Sequence, residues 1–380
     1  MNKSAQTEGV KQKIALWGVG SWGIRIAGSI QSEYQQRVEV VGVDSDVQSL
    51  ICSSLVHKII IGEKTVRSRG LRRDTGKVEK AFRESEAKIK SKLADCRALL
   101  IVGGLGGGVG SGVIPALCNC ARELKIFTIA FVTHPFKFEG KKKNLLFQKA
   151  REEIEKGPVG LACFSLDRLV GRIEDDTPHE EVFRHCDRIL KEAVECMISY
   201  LTAPPQRGGD YALLESIFSS PGETVMGIRE AAGPNHLITA VKGALSALSL
   251  NATELGMIKG VLLQLETGGS ISFRRLEQAI GAVSGVLSED VDLLYTIDKS
   301  KEKGEKIMVR IMAAGVPEEG ENAAGQAIPV TLTADRPPAK QTEINFKRLA
   351  RGMFVNTDPT LFEGEDMDIP TFVRKGVSLE

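Results

Sequence analysis

Apolar and polar positions in the first half of the chain predict strands and helices in alternation. Apolar runs of strand length lie at 14–17, 38–43, 99–102, 127–132 and 160–164. Segments with helical spacing of apolar residues separate them, and the longest, from about 180 to 201, ends before the prolines and glycines of 203–209. This order is typical of a doubly wound, mostly parallel sheet, whose ligands lie over the carboxyl ends of the strands.

The pattern changes after residue 203 and predicts a second, smaller α+β domain. Its helices are expected at 237–248 and 273–287, and its strands at 260–265, 292–297 and 307–312. The last two strands flank the charged segment 299–306, which indicates a hairpin. Beyond about 317 the chain lacks sustained periodicity and is predicted to be a flexible linker, interrupted by one last apolar patch at 367–375.

These boundaries predict two folded domains with a long central helix between them and polar extensions at both ends. The predicted segments are a flexible N-terminus (1–11), a first domain (12–179), the central helix (180–203), a junction loop and helix (204–225), a C-terminal α+β domain (226–316), a flexible linker (317–366) and a tail (367–380).

Two glycine-rich turns follow predicted strands of the first domain. The segment 18–23 is a full G-x-G-x-x-G, and Asp44 ends the next strand, which alone would indicate a dinucleotide site of the dehydrogenase type. The segment 103–112 has seven glycines in ten positions between a strand and a helix. A flexible linker rarely occupies such a place, whereas bare N–H groups at a helix N-terminus bind phosphate. Both turns are therefore expected to converge on one polyphosphate.

Composition argues against several classes of function. Lys and Arg number 50 against 49 Asp and Glu, so the overall charge gives no reason to expect nucleic acid as a partner. The seven cysteines are scattered, and Cys118 and Cys120 lack metal-site spacing, so we expect reduced thiols and no metal centre. No apolar stretch approaches the ~20 residues of a membrane span, which predicts a cytoplasmic protein without direct membrane insertion.

Several motifs, in this order along the chain, resemble the FtsZ family, the tubulin-like cell-division GTPases of bacteria and archaea. The resemblance runs from about residue 12 to 315 and resumes in the tail. Its glycine signature is G-G-G-T-G-[ST]-G, with Val109 here in place of Thr. The motifs are the first glycine turn, Gly106–Gly112, His134–Lys143, Leu166–Leu169, Met226–Ile228 and Asp368–Phe372.

The resemblance implies an α/β fold, with a doubly wound Rossmann-like GTPase domain and a smaller α+β domain joined by the central helix. It implies GTP and GDP as ligands and allows for Mg²⁺. Glu139 and Lys143 would contact the ribose and Phe183 the base, while Asp187 would accept from the adjacent N1 and N2 donors of guanine. The implied nucleotide-binding set is Gly20, Ser21, Arg25, Gly106, Gly107, Gly108, Val109, Gly110, Glu139, Lys143, Phe183 and Asp187.

The sequence also departs from the family pattern near the nucleotide. Arg25 and Leu166 stand where the family has Asn, and Arg69–Asp74 replaces a glycine-rich loop near the γ-phosphate. Arg72 and Arg73 could hold phosphate by charge, although most such residues are plain surface charges. His134 has no Ser, Cys or metal partner in the pattern and is predicted to be structural.

By resemblance, subunits polymerise head to tail and GTP is hydrolysed at the junction by acids that position the attacking water. Here the junction loop keeps Asp210 as the catalytic acid, but Leu213 stands where the second acid is expected. Glu215 would lie about 140° away from Asp210 around the helix and does not replace it. Hydrolysis is therefore predicted to be slow. The alternative role of Asp210 is that of a helix N-cap.

The tail is predicted to bind a partner. Ile369, Phe372 and Val373 have the i, i+3, i+4 spacing of an amphipathic turn, with Pro370 in its first turn and Asp368 before it. By resemblance, the partner is a membrane tether of the division machinery; the alternative is an unstructured end.

These patterns predict a GTP-binding cytoskeletal filament protein for cell division and septation, located in the cytoplasm at the division site. Two alternatives remain open. One is an FtsZ-like filament or filament modulator that binds GTP without hydrolysing it. The other is an NAD-dependent oxidoreductase, which the second glycine loop and the missing catalytic His or Tyr argue against.

Overall fold

A computed structural model describes the fold of most of the chain. It forms a six-stranded sheet, a four-stranded sheet and a separate pair of short strands. The described residues are 13–34, 36–66, 75–171, 173, 176–203, 210–233, 235–300, 303–318, 361–362 and 365–366.

The six-stranded sheet is the parallel sheet predicted from the apolar runs. Its strands are β1 (Lys13–Val19), β2 (Val38–Asp44), β3 (His57–Ile60), β4 (Cys96–Gly104), β5 (Phe127–His134) and β6 (Gly160–Ser165). Their order is β3-β2-β1-β4-β5-β6, and every neighbouring pair is parallel. Because both faces of such a sheet are covered, its inner strands are continuously apolar. The doubly wound fold is confirmed.

Helices cover both faces of this sheet. Leu16, Leu100 and Phe131 point into the core on one face, while Trp17 and Ile101 point into the core on the other. A short 3-10 turn (Lys137–Glu139) follows β5. The α-helices are α1 (Gly20–Tyr34), α2 (Val47–Ile51), α3 (Glu63–Val66), α4 (Thr75–Leu93), α5 (Gly108–Glu123), α6 (Lys141–Glu155) and α7 (Leu166–Val170).

The predicted central helix is α8 (His179–Thr202), 24 residues long. Its C-terminal half is buried because it packs between the two sheets. Met197 and Leu201 share one apolar core with Phe131 of β5 and with Leu262 and Met312 of the second sheet. The next helix, α9 (Tyr211–Phe218), joins the same core. Both sheets lie within one compact unit of the chain.

The second sheet corrects one prediction. Its strands are β7 (Glu223–Ala231), β8 (Gly260–Thr267), β9 (Asp292–Lys299) and β10 (Ile307–Val316). Their order is β7-β10-β8-β9, so the hairpin of β9 and β10 is wrong: β8 lies between them, parallel to β9 and antiparallel to β10. Almost every residue of β8 and β10 is buried, as befits inner strands, whereas β9 is partly exposed and takes the edge.

Three helices accompany the second sheet, and they are α10 (His236–Ala247), α11 (Ala252–Met257) and α12 (Phe273–Ser284). Val241 of α10 and Ala279 of α12 pack with Leu263 and Ile311 in a core of their own. The helical periodicity predicted α10 and α12 to within a few residues.

Part of the predicted linker contains regular structure. In a second compact unit, β11 (Leu361–Phe362) and β12 (Glu365–Asp366) form a short antiparallel pair. The predicted tail residues Asp368, Ile369, Pro370, Phe372 and Val373 lie outside the described residues. Of the helices in the described part of the chain, none has the length and apolar character needed to cross a membrane.

Candidate nucleotide site

The main cavity lies at the carboxyl ends of the parallel strands, as the fold predicts. Its volume is about 990 Å³, which is the size of a pocket for a small organic ligand. The residues that follow β1, β2, β4 and β5 line its floor, and the first turns of α8 form one wall. Of the predicted nucleotide-binding residues, all except Gly106 line this cavity.

The second glycine turn brings the N-terminus of α5 to the cavity. Gly107 is the N-cap residue and lacks a side-chain cap, and the first N–H groups of any helix have no partner within it. A Cβ on Gly107 would meet nothing within 4 Å, so the backbone here faces open space. A Cβ on Gly110, in contrast, would lie 2.0 Å from the carbonyl oxygen of Gly104. Gly107 thus leaves room for a ligand, and Gly110 permits close backbone packing.

Gly106 shapes this turn from within. Its backbone has a φ of 95°, a conformation that favours glycine, and its N–H donates to the Ser111 hydroxyl at 2.8 Å. A Cβ there would lie 3.1 Å from the Pro135 ring. Gly106 therefore positions the turn without lining the cavity.

The first glycine turn leads into α1 beside the second turn, since a Cβ on Gly20 would lie 4.0 Å from Val109 Cγ1. Gly20 has a φ of 72°, and Ser21 and Arg25 line the cavity beside it. Gly23 allows α1 to approach β4, because a Cβ there would lie 2.2 Å from the carbonyl oxygen of Val102. The two turns converge on one space, as the sequence predicted.

Asp187, the predicted guanine acceptor, contacts two residues of α1. Its Oδ1 accepts a hydrogen bond from Trp22 Nε1 at 2.6 Å and another from Arg25 Nη2 at 2.9 Å. Trp22 lines the cavity but was missed from the sequence. The available signal was a bulky aromatic residue at a variable position of the G-x-G-x-x-G turn.

Phe183 lies one helical turn before Asp187, and both line the cavity. Phe183 is 46 % exposed as a residue, and its ring meets Phe136 edge to face, with 6.1 Å between the ring centroids. Phe136 in turn stacks on Phe138 at 4.8 Å. An exposed aromatic face beside a carboxylate can stack on a base and read its edge.

Glu139 and Lys143 form an ion pair at the rim of the cavity. Glu139 also accepts a hydrogen bond from the Phe136 backbone N–H at 3.2 Å. Leu166 lines the cavity as well, so an apolar side chain stands where the family pattern has Asn.

Asp44 is a second lining residue missing from the predicted site. It is buried and accepts hydrogen bonds from the backbone N–H groups of Ser45 and Asp46, at 2.7 and 3.1 Å. Burial raises the pKa of this carboxyl group. Its place at the end of β2, in the dinucleotide pattern, was the signal that could have included it.

Asp210 lies outside the cavity and acts as the N-cap of α9. Its Oδ1 accepts from the Leu213 backbone N–H at 2.9 Å, which matches the alternative role considered for it. Leu213 is partly buried against the core. The loop 204–209 before Asp210 and the arginine-rich loop 69–74 lie outside the described residues.

His134 packs as a structural residue. Its ring stacks on Phe147 with 4.0 Å between the centroids, and burial lowers its pKa. Within the described part of the chain, no cluster of three or more His, Cys, Asp and Glu residues could hold a metal ion.

Comparison with known proteins identifies the first domain. Residues 13–170 match the sequence model of the Tubulin/FtsZ family, GTPase domain. The first domain of this chain is therefore similar in sequence to the GTPase domain of the Tubulin/FtsZ family. The prediction made from the motifs is confirmed at this level.

Solved structures extend the likeness of fold beyond that domain. An FtsZ mutant from M. jannaschii is 24 % identical, covers 80 % of this chain and 91 % of its own, and has a TM-score of 0.71. An FtsZ dimer from the same organism is 23 % identical, covers 87 % of this chain and 96 % of its own, and has a TM-score of 0.72. CetZ2 from Haloferax volcanii, a GTPγS-bound protofilament, is 17 % identical, covers 81 % of this chain and 94 % of its own, and has a TM-score of 0.64. The chain therefore shares their fold across both sheets.

Proposed function

We propose that this protein binds GTP in the cavity and assembles head to tail into cytoskeletal filaments for cell division. The observation that carries the proposal is the convergence of both glycine turns with Phe183 and Asp187 on one cavity in a Tubulin/FtsZ-type GTPase domain. The FtsZ dimer and the CetZ2 protofilament of similar fold support self-association.

The cavity suggests an orientation for the nucleotide. The phosphates lie at the N-terminus of α5, where unpaired N–H groups and the helix dipole favour negative charge. The base lies against Phe183 and Asp187 on α8. The ribose lies between the base and the phosphates, near Glu139 and Lys143. Mg²⁺ would bind through the phosphates, since such ions commonly pair with one or two carboxylates and substrate oxygens.

Hydrolysis requires a second subunit in this proposal. Asp210 lies outside its own subunit's cavity, so it can act only on the nucleotide of a neighbour. There it would orient water, while the apolar Leu213 offers no second acceptor. We therefore expect slow GTP hydrolysis.

The test combines electron microscopy of the purified protein with GTP or GDP and parallel measurement of phosphate release. We expect filaments with GTP, slow release in the wild type, and faster release in Leu213→Asp. Asp210→Asn keeps an N-cap and should abolish the remaining release. Glu215→Gln, on another face of α9, is the matched control and should change nothing. NAD binding without GTP binding would overturn the proposal.

A second candidate function is a filament or filament modulator that binds GTP without hydrolysing it. The engagement of Asp210 as an N-cap and the apolar Leu213 favour it. Phosphate release at the background rate in both wild type and Leu213→Asp, with filaments still present, would identify this second function.

The tail, with Asp368, Ile369, Pro370, Phe372 and Val373, is proposed to bind the membrane tether and so bring filaments to the division site. A variant lacking residues 367–380 should polymerise in solution but remain diffuse in the cytoplasm, as fluorescence microscopy would show. Normal localisation of this variant would contradict the role of the tail.

A further inference from the structure

Trp22 is an unusual side chain for a glycine-rich turn at a nucleotide cavity. Its ring lies over the end of β4, since a Cβ built on Gly104 would be 3.5 Å from Trp22 Cε3. Both residues line the cavity. The indole therefore spans the floor from β4 towards Asp187 on α8.

The indole N–H ends on the carboxylate proposed to recognise the base. Trp22 Nε1 and Arg25 Nη2 both donate to Oδ1 of Asp187, at 2.6 and 2.9 Å. Among the described residues, none donates a hydrogen bond to Oδ2. Two donors thus occupy one carboxylate oxygen, and the other remains for a ligand.

The number of free oxygens decides which bases the carboxylate can distinguish. Guanine presents N1–H and a 2-amino group side by side, a pattern that matches both oxygens of a carboxylate. Hypoxanthine presents N1–H alone, and adenine presents an acceptor at N1. A carboxylate with one free oxygen can accept from N1–H but has lost the second acceptor for the 2-amino group.

We propose that Trp22 is a positioning residue that sets base selectivity: it commits Oδ1 of Asp187, so the site requires N1–H but reads the 2-amino group weakly. The inference rests on the proposed GTP binding. GTP and ITP are then ligands of similar affinity, and ATP is a poor one.

The first experiment measures the binding of GTP, ITP and ATP by isothermal titration calorimetry. In the wild type we expect GTP and ITP to bind within about threefold of each other, because the 2-amino group lacks a charged acceptor. Trp22→Phe keeps an aromatic ring and removes one of the two donors from Oδ1, so that this oxygen can accept from the 2-amino group. GTP should then become roughly tenfold tighter than ITP, the value of one hydrogen bond to a charged group. Trp22→Phe/Arg25→Met should increase this ratio further.

Trp17→Phe is the matched control. Trp17 is fully buried away from the cavity lining, and its Nε1 has no hydrogen-bond partner among the described residues. Its replacement should therefore leave the GTP to ITP ratio at the wild-type value.

A second measurement leaves Trp22 in place. The chain has two tryptophans, so Trp22 is the sole tryptophan of the Trp17→Phe variant. Its emission should change on titration with GTP and with ITP, and the midpoints should agree with the calorimetric affinities. This readout remains informative if Trp22→Phe folds poorly.

The outcomes separate this inference from the proposed function. An absence of GTP binding in the wild type removes both. If the wild type binds GTP tightly and ITP already tenfold more weakly, the role of Trp22 is overturned and GTP binding remains. The same holds if GTP binds tightly but the emission of Trp22 does not change on titration. An unchanged GTP to ITP ratio in a folded Trp22→Phe variant overturns it as well.

Discussion

Two arginine–carboxylate pairs in this molecule have the same N–O separation and contrasting surroundings. Arg25 and Asp187 meet at 2.9 Å in the nucleotide cavity, with side chains 59 % and 24 % exposed. Arg168 and Glu223 also meet at 2.9 Å, with side chains 9 % and 3 % exposed. The two ion pairs therefore differ in interaction energy although their N–O distances are equal, because water screens the first pair and hardly reaches the second.

The buried pair belongs to a network that joins the two sheets. Arg168, on α7 after β6, also donates to Glu254 of α11 at 2.8 Å and to the carbonyl oxygen of Pro317 at 2.9 Å. Glu223 begins β7 of the second sheet. Three partners hold this guanidinium, so it is fixed. The Arg25 pair in contrast can exchange its partner when a ligand arrives.

The largest effect is expected from breaking the buried pair. Arg168→Met leaves the charges of Glu223 and Glu254 without their arginine, and such losses cost about 3–5 kcal/mol of folding free energy. Urea denaturation followed by circular dichroism measures it. Arg168→Met/Glu223→Gln, which also removes a buried charge, should recover part of the loss. A change below about 1 kcal/mol would show that this network behaves like a surface pair.

Glu195 on α8 is an intermediate case: it is a buried carboxyl group, and the nearby positive charges only partly offset the cost of burying its negative charge. Burial raises its pKa to about 7, repulsion from Glu192 and Glu33 adds to this, and Lys191 and Arg310 oppose it. The folded protein therefore holds a proton that the unfolded chain releases near pH 4.5, so stability falls as the pH rises from about 4.5 to about 7.

Glu195→Gln removes this dependence. Above pH 7 the variant should be more stable than the wild type by about 3 kcal/mol, the value of the pKa difference, and at pH 4.5 the two should agree. Urea titrations across this pH range measure both curves. Glu33→Gln, at an exposed position of the same cluster, should change the slope only slightly. Parallel curves for wild type and Glu195→Gln would contradict the shift.

The sequence predicted what depends on periodicity and on glycine spacing. The parallel sheet and the convergence of the two turns followed from apolar runs that must be buried on both faces. Strand order in the second sheet did not, because nothing local shows that β8 passes between β9 and β10.

The sequence also could not predict which polar side chains form hydrogen bonds with residues far away in the chain. Arg168 lay in a motif that marked the resemblance, yet its partner Glu223 is 55 residues away in the chain. The bond from Trp22 to Asp187 spans 165 residues. Asp187 itself was predicted from the resemblance to the FtsZ family, by its position in the sequence and not by its contacts. Long-range pairs of polar side chains are therefore what single-sequence reasoning missed here.

A smaller effect on stability is expected in the second glycine turn. Like the two ion pairs, Gly107 and Gly110 differ in their surroundings, because one faces open space and the other is packed against backbone. Gly110→Ala forces a methyl group against the carbonyl oxygen of Gly104 and should cost about 1–3 kcal/mol. Gly107→Ala points into open space and should leave stability within about 0.5 kcal/mol. Its methyl group should weaken GTP binding about tenfold, since it stands where phosphate is proposed. Thermal unfolding and calorimetry separate these results, and equal destabilisation by both would refute the distinction.

The smallest effect is expected from the exposed pair. Arg25→Met keeps the aliphatic stem and removes the charge, and since water already solvates both partners, stability should change by less than about 1 kcal/mol. A double-mutant cycle with Asp187→Asn measures the coupling, which should vanish in about 1 M salt, where the screening length is about 3 Å. The corresponding cycle of Arg168 and Glu223 should keep most of its coupling there, because salt does not enter the buried network. Coupling above about 2 kcal/mol for Arg25 and Asp187 would mean that Trp22 shields this pair from water, and a ligand would then have to break a strong bond to reach Oδ1.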